Sequence, residues 1–89
     1  MWYHFMDMSS GGYQKTKYKH IFIKADSEEE AVEMFEQRLG THPFSVACSC
    51  CGENFSCSSD KNIKNLANYW IKSSGMAIHD FYNAALIIE

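Results

Sequence analysis

The stretch Asp26-Ser27-Glu28-Glu29-Glu30, followed by Ala31, Val32, Phe35 and Leu39 and closed by Gly40, constrains this chain more than any other. Ser27 can accept a hydrogen bond from the N–H three residues on, while the Glu30 carboxylate reaches back, which makes a capping box. Three glutamates in the first turn complement the positive end of the helix dipole. The apolar residues recur at helical spacing and form one buried stripe. Gly40 supplies a left-handed cap, and Pro43 prevents continuation. The spacing therefore predicts a helix between Ser27 and Gly40. Residues 17–25 run straight into it. There Ile21, Ile23 and Ala25 share one face and His20, Phe22 and Lys24 the other, which is the alternation of a strand. Strand and helix together make a β-α junction around which the remaining elements must be arranged.

Residues 2–8 read as another strand, with Trp2, His4, Met6 and Met8 on one face and Tyr3, Phe5 and Asp7 on the other. Neither face is purely polar, so the strand is expected to be central or covered on both sides. Ser9-Ser10-Gly11-Gly12 breaks it with a turn, because paired glycines allow positive φ. A hairpin of the two strands is the simplest pairing, although the connection over 9–16 is too long to fix the register. Further on, Phe44 to Ala47 reads as a short strand leading into the cysteines and Asn54 to Cys57 as its return, with Cys51-Gly52 at the bend. Ser58, Ser59 or Asp60 is expected to cap a second helix, in which Ile63, Leu66, Ala67 and Trp70 form the stripe and which Gly75 ends. Residues 76–82 read either as a short helical turn or as an irregular link. Residues 84–88 close the chain as a strand. The order β-β-α-β-β-α-β predicts a single α+β domain over residues 1–89. Its expected form is a two-layer sandwich, a mostly antiparallel sheet with two helices on one face.

A chain of 89 residues buries only about 60–65% of the surface its unfolded form exposes, so a metal or a partner commonly helps such domains. Six Phe, five Tyr and two Trp still provide a core, which argues against global disorder. The net charge of −3 argues against a general nucleic-acid binder. Charge is segregated, however. Lys15, Lys17, Lys19, His20 and Lys24 are followed by Asp26, Glu28, Glu29, Glu30, Glu33 and Glu36, the pattern of a basic strand face beside an acidic helix face. The opening residues lack a basic segment followed by an apolar one, and no run approaches the ~20 apolar residues of a membrane span. These features lead us to expect a reducing cytosol, no membrane association and no structural disulfides.

All four cysteines lie between positions 48 and 57. Cys48-Ser49-Cys50-Cys51-Gly52 contains the C-x-x-C-G spacing of a zinc knuckle, in which two thiolates grip one ion and the glycine lets the backbone turn. Cys57 from the return strand and His4, or alternatively His20, would complete a structural zinc site, with Cys50 able to replace a knuckle cysteine. Strong zinc patterns carry two spaced pairs, whereas here the second pair must be assembled from distant residues. The other reading is that these thiols are small buried hydrophobes. A cysteine–histidine catalytic pair is the third, and it requires a thiol of low pKa. Asp7 beside the glycine turn is either a functional carboxylate or an acceptor for turn N–H groups. Tyr13 and Tyr18 among lysines could stack on nucleic-acid bases.

Two motifs together carry a resemblance. H-F-x-D-M-x-S-G-G is His4-Phe5-Met6-Asp7-Met8-Ser9-Ser10-Gly11-Gly12, and C-S-C-C-G is Cys48 to Gly52, followed by Asn54-Phe55-Ser56. Over residues 1–57 the chain resembles a family of short phage-encoded proteins of unknown function. That family often has histidine in place of Ser9 and lacks Cys57, which leaves Cys48 and Cys51 as the shared pair. The resemblance implies phage origin and action in the cytoplasm of the bacterial host. The expectation is a non-enzymatic phage accessory protein that binds and modulates a host protein, such as a defence or regulatory factor. The alternative is a small zinc-stabilised module contacting nucleic acid.

Overall fold

A computed structural model describes residues 1–48 and 52–89 of the chain. The elements are β1 (Trp2–Asp7), β2 (His20–Lys24), α1 (Glu28–Leu39), β3 (Val46–Cys48), β4 (Gly52–Glu53), β5 (Phe55–Asp60), α2 (Ile63–Ser74), α3 (Ile78–Ala84) and β6 (Leu86–Ile88). Four strands form one sheet in the order β5-β1-β2-β6, and β3 pairs antiparallel with β4 in a separate two-stranded sheet. β1 is antiparallel to both β2 and β5, whereas β6 lies parallel to β2. The class is the expected α+β with a mostly antiparallel sheet, and β1 is the central strand its two apolar faces required.

The β-α junction forms as its chemistry dictates. The Ser27 hydroxyl accepts from the Glu30 N–H at 3.1 Å. The Glu30 carboxylate reaches back to the N–H of Asp26 at 3.4 Å, one residue before the cap. Gly40 ends the helix at φ 72°, and its N–H donates to the Glu36 carbonyl. Ala31 and Phe35 of α1 are fully buried against Tyr3, Phe5, Ile21 and Ile23 on one face of the sheet, with Phe55 and Leu86 completing the cluster. The Phe35 ring lies 5.1 Å from Phe5 and 4.9 Å from Phe55.

α2 and α3 pack on the opposite face. Ala67 and Phe81 are buried with Phe22, flanked by Trp2, Leu66, Trp70 and Ile71. The placement of the helices thus differs from the two on one face expected from the sequence. The physical reason lies in the strands. His4 and Phe22 are as buried as Phe5 and Ile21, so both faces of the sheet need cover. Residues 78–84 resolve as helix, so the closing strand starts at Leu86. The second helix also begins later than expected. Ser58, Ser59 and Asp60 are held in β5 by pairing with β1, and Asn62 caps α2 by accepting from the Lys64 N–H at 2.9 Å. Asp60 supports the cap by accepting from the Asn62 N–H at 2.8 Å.

Candidate functional site

The connection from β1 to β2 is a built structure centred on Asp7, at the end of β1. The Asp7 side chain is fully buried. One carboxylate oxygen accepts from the Ser9 N–H at 2.9 Å, and the other from the N–H groups of Lys15 at 2.6 Å and Thr16 at 3.4 Å. The Asp7 N–H donates to the Lys19 carbonyl at 2.8 Å, and the Lys19 ammonium donates to the Asp7 carbonyl at 3.2 Å. A buried carboxylate must be compensated by donors, and here the backbone supplies them. Asp7 is therefore the acceptor for turn N–H groups that the sequence allowed. Its lone pairs fix the loop, and Gly12 at φ 87° completes the turn from Ser9.

What that loop displays is basic and aromatic. Tyr13 is 58% exposed, and the Lys15 ammonium lies 3.8 Å from its ring centroid while donating to the Tyr13 carbonyl. Lys17 and Lys19 of the same connection are exposed. Tyr18, in contrast, packs partly against the core, with the Lys17 ammonium 5.8 Å from its ring centroid. Strand β3 lies against the 3-10 turn at Ser10–Gly12, and the Met8 N–H donates to the Asn54 carbonyl at 2.9 Å. Residues of the two motif stretches, Met8 to Gly12 on one side and Val46 to Cys48 with Asn54 on the other, thus lie against each other.

The proposed zinc ligands do not converge in the same way. Cys57 pairs across from Phe5 and packs on the α1 face. His4 pairs across from Ser58 and lies against Phe22 and Trp70 on the α2 face. The sheet separates them, so one ion cannot bind both. Cys51, Cys50 and the side chain of Cys48 lie outside the described residues. Among the described residues, no three His, Cys, Asp or Glu side chains gather around a common point. Burial, followed by a hydrogen bond to the Glu28 carboxylate and its charge, pushes the Cys57 thiol up to about 12. A nucleophilic or metal-binding cysteine requires the opposite shift.

The structure does bring His4 and His20 together. His4 Nε2 and His20 Nδ1 are 2.9 Å apart, beneath Trp70 and beside Phe81. Both histidines were candidates in the sequence, but only the register of Met6 opposite His20 and His4 opposite Phe22 makes them neighbours. Comparison of the chain with models of known families, with curated proteins and with solved structures gives no match. The geometry therefore carries the functional argument.

Proposed function

We propose that this chain is a non-enzymatic, phage-encoded accessory protein that acts by binding a host protein through the Asp7-held loop and the adjoining strand β3. The observation that carries this reading is the buried Asp7 carboxylate, which orders an otherwise polar connection and holds Tyr13, Lys17 and Lys19 in a defined arrangement. Ordering a loop before binding lowers the entropy that association must overcome. Tyrosine carries much contact area on few rotatable bonds and recurs among interface hot spots. The lysines favour a partner surface of acidic character. The two side chains with the best claim to chemistry are otherwise engaged: Asp7 accepts backbone bonds, and the Cys57 thiol is held in its protonated form.

The test is capture from a bacterial host lysate with the native chain and with a Tyr13→Ala, Lys17→Glu double variant, each with and without nuclease. The expected result is a protein retained by the native chain, lost by the variant and insensitive to nuclease. Equal retention by both chains contradicts the assignment of the surface. Retention of nucleic acid released by nuclease would instead favour the zinc-stabilised, nucleic-acid-contacting alternative, for which the exposed Tyr13 and the lysines are the supporting residues.

A further inference from the structure

The His4–His20 contact is used neither by the loop nor by the main core. The nitrogens are 2.9 Å apart, the ring centroids 5.1 Å apart and the ring planes inclined by 24°. A short nitrogen–nitrogen distance with a longer centroid separation means that the rings lie end to end, not face to face. One N–H therefore bridges two ring nitrogens, so one imidazole donates and the other accepts. The pair is enclosed by aromatic rings. His4 lies parallel to Phe22 at 4.5 Å, His20 lies 5.1 Å from Phe81, and Trp70 covers both at 6.3 and 5.4 Å. Phe22 belongs to the sheet, Trp70 to α2 and Phe81 to α3. The pair thus sits at the seam between the sheet and its α2–α3 cover.

We propose that the His4–His20 pair is a proton-operated latch that keeps the α2–α3 layer seated on the sheet when neutral and releases it when protonated. A first added proton puts a charge among aromatic rings, and the ring faces compensate only part of its lost hydration. A second makes both facing nitrogens donors and abolishes the hydrogen bond. No compensating carboxylate meets either ring among the described residues. Just before β2, Lys19 adds positive charge beside His20, and within β2 Lys24 is exposed. From β5, Asp60 is engaged by Asn62 and Asn65. From α2, Lys64 and Lys72 are exposed. From α3, His79 and Asp80 are exposed, and the Tyr82 phenol is half-buried and uncharged at neutral pH. Burial, then the charge of His20, hold His4 down to about 4. Burial, then Lys19, lower His20 as well. The release is local, because α1 packs on the other face and shares none of these contacts.

Segment-resolved hydrogen exchange of the full chain, corrected for intrinsic rates, tests the latch between about pH 7.5 and about pH 5. The α2 and α3 amides should lose protection by about tenfold or more over this range, while α1 changes far less. His20→Gln, which keeps a hydrogen-bonding side chain but cannot gain a proton, should diminish that response, and His4→Phe should diminish it further. Three results overturn the latch: a layer indifferent to pH, a loss of protection shared equally by α1, or a response undiminished in His20→Gln. The last criterion holds even where His4→Phe fails to fold.

Discussion

At the scale of single residues, burial decides what each polar side chain does. Asp7 is the clearest case. Three backbone N–H groups converge on its two oxygens. Asp7→Ala leaves those donors without an acceptor in a closed site, and should cost about 3 kcal/mol in stability. Denaturant titration measures the loss, and exchange of the Ser9, Lys15 and Thr16 amides locates it. Cys57 is the second case. Its thiol is held up to about 12 by burial and by Glu28, so alkylation near neutral pH should be far slower at Cys57 than at a free thiol. Peptide mapping after a timed iodoacetamide pulse measures this, and fast labelling at Cys57 would contradict the assigned environment. The third is His4. Its pKa is about 4 in the fold against 6.5 when unperturbed, so the unfolded chain binds the extra proton between those values. Stability is therefore full above the unperturbed pKa and falls as the pH drops through the window, by up to about 3 kcal/mol. Unfolding of native chain and His4→Phe should converge on acidification, since the variant lacks the titrating group.

At the scale of elements, legibility in the sequence follows the range of the interaction. α1 could be read almost residue by residue, because capping box, stripe and glycine cap are local. Ser27→Ala should cost about 1 kcal/mol, visible as a lowered denaturation midpoint with an unchanged slope. The face assignments of β1 and β2 were equally legible, since alternation is local too. The same strands held a signal for the helix arrangement. Trp2, His4 and Phe22 gave the second face an apolar character that no solvated surface tolerates, and that implies a cover on each side. An amphipathic stripe such as Ile63, Leu66, Ala67 and Trp70 says that α2 must bury a face, but not against which side of the sheet. Cap choice failed for a related reason. Asp60 is a good N-cap residue, but tertiary pairing with Trp2 extends β5 through it. The parallel placement of β6 beside β2 depends on the path through α2 and α3 and has no local marker.

At the scale of the whole molecule, the sheet acts as a partition. It puts Cys57 with α1 and His4 with α2, which separates two residues that spacing alone grouped as zinc ligands. Native mass spectrometry after dialysis should accordingly give the same zinc content for the native chain, Cys57→Ser and His4→Phe. Loss of metal in both variants would contradict the opposite-face placement. Apart from that partition, β3 lies against the turn of the Asp7-held loop. The site was only partly legible beforehand. The sequence marks its residues, but the bonds from Lys15 and Thr16 to Asp7 span eight and nine positions, and no local pattern encodes them. The most direct test of the account is the affinity of the captured host protein, once purified, for native chain, Tyr13→Ala and Tyr69→Ala. Tyr69 is 67% exposed on α2, an element other than the loop, and serves as a control. The account predicts at least about tenfold weaker binding for Tyr13→Ala, with Tyr69→Ala unchanged. Native affinity in Tyr13→Ala, with the loss falling on Tyr69→Ala, would contradict it.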